Sequence, residues 1–288
     1  MSTKTPPPKK KAYYEDTNAM PMANGRVTHV GVGEGDVANR VVTVGSLSRA
    51  EALASEFLLD CRSISSPRGF TTFTGTFGGV AVSVVATGMG APMMDFFVRE
   101  TRAIVDGPML VVRLGTCGAI DVDPGAVVAN TPGSYAVSRN YDAWIDDDKK
   151  GTEEPPYRFT KIVEPDAALA EAVADALKAT EDLDVVEGLN ASTTSFYSDQ
   201  GRQDPNFDDR NDRWIDDLLK PDTVSTEMES FHLLHLSKCA KRHPIKAATT
   251  AIACAERKSG KVIDEDTLKA VELKAGKAIL QALADSSL

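Results

Sequence analysis

Short apolar, β-branched runs alternate along this chain with longer stretches whose apolar residues recur every three or four positions. The first kind predicts buried strands at Val41–Val44, Val80–Ala86, Met109–Val112, Ala126–Ala129, Val185–Leu189 and Ala247–Ala253. The second predicts helices at Arg49–Leu59, Met93–Ile104, Asp166–Thr180, Glu229–Ala240 and Asp266–Ala284. Ser48 is a reasonable N-cap for the first helix, and the last opens on acidic residues that suit the positive end of the helix dipole. Strands interleaved with helices specify an α/β fold with a mixed, largely buried sheet. No internal repeat is evident.

Three stretches carry neither period. Residues 1–24 are rich in Pro, Lys and polar side chains and predict a disordered tail, which leaves 25–288 as a single domain. Tyr141 to Tyr157, with Asp146-Asp147-Asp148-Lys149-Lys150 and Pro155-Pro156, reads as a solvated loop. Gln203 to Pro221 is acidic and carries Trp214 at the head of a short apolar patch; a lid and an interface are both open readings.

Composition narrows the partners. A hydrophobic content of 42% is enough for a sizeable core. A net charge of −10 argues against nucleic acid and anionic membrane, so any phosphate site must be a local cluster of arginines in an adverse field. No run of eighteen apolar residues is present, and the N-terminus lacks the apolar segment of a signal peptide. Cys61, Cys117, Cys239 and Cys254 lack metal spacing and read as free thiols of a reducing compartment, so a cytoplasmic protein without a metal is expected.

One segment invites chemistry. Val111-Val112-Arg113-Leu114-Gly115-Thr116-Cys117-Gly118 places an arginine where a buried strand gives way to glycines. Such an arginine is costly unless it meets an anion. The glycines allow close backbone approach, and Thr116 adds a hydroxyl. Taken alone, the segment slightly favours an arginine tied to an acidic side chain.

Further segments shift that balance: Val42-Thr43-Val44-Gly45-Ser46-Leu47-Ser48-Arg49, Ser66-Pro67-Arg68-Gly69-Phe70-Thr71-Thr72-Phe73, Thr87-Gly88-Met89-Gly90, Ser195-Phe196-Tyr197-Ser198-Asp199-Gln200-Gly201-Arg202 and Thr226-Glu227-Met228-Glu229-Ser230. In this order, from about His29 onward, they resemble the uridine phosphorylase branch of the nucleoside phosphorylase superfamily. The Phe-x3-Gln-x-Arg spacing followed by Glu-Met-Glu is the most specific part.

The resemblance implies a three-layer α/β/α sandwich around a twisted, partly closed sheet. It implies reversible phosphorolysis of uridine to uracil and ribose 1-phosphate, with inorganic phosphate as co-substrate and no cofactor. It assigns phosphate to Gly45, Arg49, Arg68, Arg113 and Thr116, ribose to His29, Met228 and Glu229, and base to Phe196, Gln200, Arg202 and Glu227. The catalytic set is Arg113, Thr116, Arg202 and Glu229, and Glu227 also helps to hold its loop. Arg68 and His29 reach the pocket of a neighbouring subunit, so the unit is at least a homodimer. Arg257 corresponds more loosely to an arginine of the same branch. Relatives hold a monovalent cation through a glutamate and a serine; Gly69 and Met93 stand there in this chain, so no such site is expected.

Arginine suits a phosphate dianion because its planar fork donates parallel hydrogen bonds and keeps its charge. Gln200 offers one donor and one acceptor to the uracil edge. Gly31-Val32-Gly33-Glu34-Gly35-Asp36 has the wrong spacing for a dinucleotide loop, and Arg49 is preferred over Arg40 because it follows a strand at the right distance. The alternatives are a purine nucleoside phosphorylase, a nucleosidase on the same fold, and a non-catalytic nucleoside-binding protein.

Overall fold

The computed structural model describes residues 16–145 and 154–288. It opens with a two-stranded hairpin, β1 (Met22–Ala23) and β2 (Arg26–Val27). Then come β3 (Arg40–Val44), α1 (Leu47–Phe57), β4 (Leu59–Ser65), β5 (Thr71–Phe77) and β6 (Val80–Ala86). The middle of the chain forms α2 (Ala91–Ile104), β7 (Met109–Ala119), β8 (Val127–Ala129), β9 (Ser134–Arg139) and β10 (Tyr157–Phe159). The rest forms α3 (Ala167–Lys178), β11 (Val185–Glu187), β12 (Leu189–Thr193), β13 (Thr223–Glu227), α4 (Ser230–Cys239), β14 (Ile245–Glu256) and α5 (Glu265–Asp285).

Twelve strands form one mixed sheet with the path β10-β9-β12-β13-β7-β3-β6-β5-β4, and β14, β8 and β11 branch from β7. Helices α1, α3 and α5 cover one face through Leu53, Val173, Leu177 and Ile279. Helices α2 and α4 cover the other through Met94, Phe97, Leu233 and Leu234. This is the α/β/α sandwich expected.

Strand β7 organises the site. One edge pairs in parallel with β14 along its whole length. The other edge pairs in parallel with β3 over Leu110–Leu114, then antiparallel with β13 over Gly118–Ala119. Between these partners lie Gly115, Thr116 and Cys117, where β3 has left and β13 has not yet arrived. A sheet that splits in this way leaves a crevice at the carboxyl ends of its parallel strands, the usual place for a ligand.

Several boundaries differ from expectation for visible reasons. Strand β7 continues past Arg113 because β14 holds its other edge. The run Val185–Leu189 divides at Gly188: β11 pairs with β8, while β12 pairs with β9 and β13. Helix α1 is capped by Ser46, whose side chain accepts from the Arg49 amide, and not by Ser48. Residues 1–15 of the expected tail lie outside the described residues. The rest of that expected tail is partly held: Thr28 N–H donates to the Pro21 carbonyl at 3.1 Å, and Met20 packs on the core beneath α2 and α4.

The two inserted segments pack on each other. Trp144 Nε1 donates to the Asp208 carbonyl at 2.9 Å, and Arg139 pairs with Asp209 at 2.5 Å. Trp214 is buried against Tyr135, Tyr157 and Leu189, so its segment is docked on the sheet. Residues 146–153 of the loop expected between Tyr141 and Tyr157 lie outside the described residues.

Candidate active site

A cavity of about 580 Å³ opens where β3 and β6 end, beside the Arg113–Gly118 stretch of β7. Gly45, Arg49, Arg113, Thr116, Phe196, Gln200, Arg202, Glu227, Met228 and Glu229 all line it. Ten positions read from sequence, spread over nearly two hundred residues, therefore converge on one cleft.

Arg113 and Arg49 stand at its floor. Arg113 is 3% exposed and donates through Nη2 to Glu229 Oε2 at 2.5 Å. Its Nε lies 3.5 Å from Glu227 Oε2, yet Nε and Nη1 have no hydrogen-bond partner among the described residues. Buried guanidinium donors without partners are uncommon, because each forfeits the bonds it made to water. They point to an anion as the missing acceptor. Arg49 donates through Nε to Glu272 Oε1 at 2.7 Å and through Nη1 to the Leu114 carbonyl at 3.2 Å. Arg40 is committed elsewhere, to the Leu283 and Ser286 carbonyls at the end of α5. The Gly31–Asp36 segment closes on itself: Asp36 accepts from the Gly33 amide at 2.8 Å and pairs with Arg26 at 3.0 Å.

Glu229 occupies the N-cap position of α4. Its carboxylate accepts from the Gly90 amide as well as from Arg113. Burial pushes its carboxyl above the ordinary value of 4.5, against the pull of Arg113 and with the push of neighbouring Glu227. Glu227 plays a different part. It accepts from Asn190 Nδ2 at 2.8 Å, from Ser192 Oγ at 2.5 Å and from the Glu229 and Ser230 amides at 3.0 and 2.9 Å. With these donors on it, the carboxylate holds the Met228–Ser230 loop and has little left for a base.

The opposite wall is built from the turn Ser198–Gln200 and its flanks. Gln200 Nε2 donates to Thr193 Oγ1 at 3.0 Å, and Gln200 Oε1 accepts from Arg202 Nη1 at 2.8 Å. The Arg202 guanidinium stacks over Phe196, 3.5 Å from the ring centroid. Burial, with Arg257 nearby, lowers the Arg202 pKa to about 10. Arg257 Nη2 donates to the Gln200 carbonyl at 2.9 Å, and its stem lies so close to Gly118 that a Cβ there would meet Cδ at 2.8 Å. Arg257 thus props the base wall from behind.

Two residues of the sequence reading do not reach this cavity. Arg68 is exposed in the β4–β5 turn, with no side-chain partner among the described residues. His29 pairs through Nδ1 with Glu100 at 2.5 Å and stacks on Phe96, 4.1 Å between ring centroids. The two are neighbours on the surface, because Ser66 Oγ donates to the His29 carbonyl and Arg68 N–H donates to Ser66 Oγ at 3.0 Å.

Sequence reasoning missed Glu272, Asn190 and Ser192, which hold the Arg49 and Glu227 side chains. It also missed Cys254 and Val262 on the cavity wall. Burial pushes the Cys117 and Cys254 thiols up. All four cysteines are free. Among the described residues no helix is long and apolar enough to cross a membrane.

The model of the phosphorylase superfamily matches residues 39–284. The chain belongs to that superfamily. Among solved structures, this phosphorylase superfamily member superposes with a TM-score of 0.89 on a chain from a study of two uridine phosphorylases of the oomycete Phytophthora capsici. The two are 43% identical, and the match covers 96% of this chain and 100% of the other. The uridine phosphorylase of Thermococcus kodakarensis is 30% identical over 217 residues, which is 74% of this chain and 72% of that protein. A DeoD-type purine nucleoside phosphorylase of Oceanobacillus iheyensis is 38% identical over 95 residues. That match spans 40% of the relative's length and 33% of this superfamily member.

Proposed function

We propose that this chain is a uridine phosphorylase: phosphate plus uridine gives uracil plus ribose 1-phosphate, reversibly. The observation that carries the reading is the pairing of Gln200 with Arg202 at 2.8 Å on a wall facing the Arg113–Glu229 pair. One side of the cleft suits a uracil edge and the other an oxyanion beside a sugar.

In this reading phosphate sits on Arg113 and Arg49, with the Gly45 backbone and the Thr116 hydroxyl completing the cradle. Glu229 accepts from the ribose hydroxyls, Met228 packs on the sugar, and the carboxylate stabilises positive charge gathering at C1′. A phosphate oxygen bonds to C1′ as the bond from C1′ to N1 breaks. The electron pair moves into the uracil ring, where Arg202 and Gln200 bond to its carbonyl oxygens and N3–H. Phe196 packs against the ring. Positioning and fixed charge supply the catalysis, so phosphate is a co-substrate and no cofactor is invoked.

The charge balance supports a shared site. Arg113 is matched by Glu229 and Glu227, and Arg49 by Glu272. A dianion therefore needs further positive charge. The unpartnered Arg68 and the adjacent His29 are suited to reach a second copy's cavity, which makes a homodimer the smallest complete unit. The free thiols fit a reducing compartment such as the cytoplasm.

The deciding assay is uracil release from uridine with and without inorganic phosphate, beside inosine. Phosphate-dependent cleavage of uridine alone is expected. Release without phosphate would indicate a nucleosidase, preferential cleavage of inosine a purine enzyme, and binding without turnover a nucleoside-binding protein.

A further inference from the structure

We infer that Glu272 is a positioning residue for phosphate: it holds the plane of the Arg49 guanidinium so that its remaining N–H groups face the substrate anion. This inference rests on the phosphorolysis reading above and assigns a task to a residue of α5.

Glu272 lies on the buried stripe of α5, beside Val271 and one turn before Gly276, with Ala275 and Ile279 continuing the apolar face. A carboxylate there is costly unless a partner compensates it. Its partner is Arg49 Nε at 2.7 Å, and the two side chains are only 14% and 7% exposed. The Leu114 carbonyl takes Arg49 Nη1 at 3.2 Å, and Ser46 Oγ takes the Arg49 amide at 3.3 Å. Two acceptors on different edges of a planar group fix its orientation.

The fold invests in this contact. A Cβ on Gly276 would stand 2.1 Å from Leu53 Cδ2, so the glycine lets α5 lie against α1. That approach brings Glu272, on the same face one turn earlier, within reach of Arg49. Electrostatics alone would disfavour the arrangement, because a carboxylate beside a phosphate-binding arginine weakens the field a dianion feels. What the carboxylate supplies is the acceptor that sets the fork.

Charge and orientation can be separated by substitution. Glutamine keeps an acceptor oxygen at the same reach and removes the charge; methionine keeps the length and removes both. Steady-state kinetics with inorganic phosphate varied at saturating uridine, and the reverse, would be run on Glu272→Gln, Glu272→Met and wild type. Glu272→Gln should show a phosphate KM equal to or below wild type. Glu272→Met should show a phosphate KM raised roughly tenfold or more, while the uridine KM stays within about twofold, as expected when only the preorganised anion clamp is lost. A phosphate KM in Glu272→Met equal to wild type would overturn the inference, and so would a raised phosphate KM in Glu272→Gln. If the methionine variant does not fold, Glu272→Ala, which also removes the acceptor, takes its place and is read in the same way. Phosphate-independent uracil release by the wild type would instead remove the functional reading itself.

Discussion

Arg113 and Glu229 hold each other directly, Nη2 to Oε2 at 2.5 Å, although phosphorolysis assigns one to phosphate and the other to ribose. A single ion pair thus joins the two subsites. In the proposed reading, phosphate arriving at Arg113 would compete with Glu229 and free that carboxylate for the sugar hydroxyls, with Nε and Nη1, which lack a partner among the described residues, offering the first bonds.

Arg113→Ala should raise the phosphate KM beyond reach or abolish turnover while uridine still binds. Removing one member of a buried, charge-assisted pair costs roughly 2–5 kcal/mol, much of it from the stranded partner. Steady-state kinetics at varied phosphate, with equilibrium binding of uridine, checks this. An unchanged phosphate KM would remove Arg113 from the site.

Glu229 should set the acid limb of the activity profile. Burial raises its folded-state value above 4.5, so the folded protein binds this proton more readily than the unfolded chain. The group's contribution to stability is therefore present at low pH and lost as pH rises through that raised value. Activity should move the opposite way, because only the carboxylate accepts from ribose. The acid limb of kcat/KM should lie above the ordinary carboxylate range, and the pH slope of thermal stability there should flatten in Glu229→Gln. An acid limb at or below 4.5 would contradict the assignment.

Base choice should depend on Gln200. Gln200→Ala removes a donor and an acceptor from the wall and leaves Arg202 without its 2.8 Å partner. Uridine kcat/KM should fall by about two orders of magnitude or more, since a site built around hydrogen bonds loses most when they cannot form. Inosine turnover should stay negligible in both proteins. Wild-type turnover of inosine matching that of uridine would sink the base-wall assignment.

Mixed subunits test the shared site. Arg68→Ala and Arg113→Ala should each be inactive alone. In a heterodimer one pocket collects both changes and the other neither, so random exchange of equal amounts should restore about a quarter of wild-type activity by symmetry. No recovery after verified exchange would confine Arg68 to its own chain or exclude it from the chemistry.

The alternation of strands and helices was legible in the sequence because its signals are local. The β-branched runs gave β3 and β6, whereas the sandwich and the cleft residues Phe196, Gln200 and Arg202 were read through the family resemblance of their segments. Other features were hidden because they depend on distant partners. Strand β4 is almost wholly exposed and polar, so no alternation marked it. Strand β7 ran on through its glycines because β14 supports it from 136 or more positions away, a pairing that residue periodicity does not encode. Asn190 looks like an ordinary polar residue until Glu227 is seen to accept from it. Glu272 left one trace, a charge on the apolar stripe between Leu268 and Ala275, but its partner could not be read from α5 alone.

The Arg49–Glu272 contact also orders events during synthesis. Its partners lie 223 positions apart, on the first and the fifth of the long helices. Every strand of the sheet leaves the ribosome before the carboxylate does. A nascent chain can therefore pair its strands and enclose the cleft while the arginine at its floor has the Leu114 carbonyl but not yet the carboxylate. If the site binds phosphate as proposed, its second arginine is set last, when α5 docks, and a partly synthesised chain would hold the shape of the site with that part of the clamp unfinished.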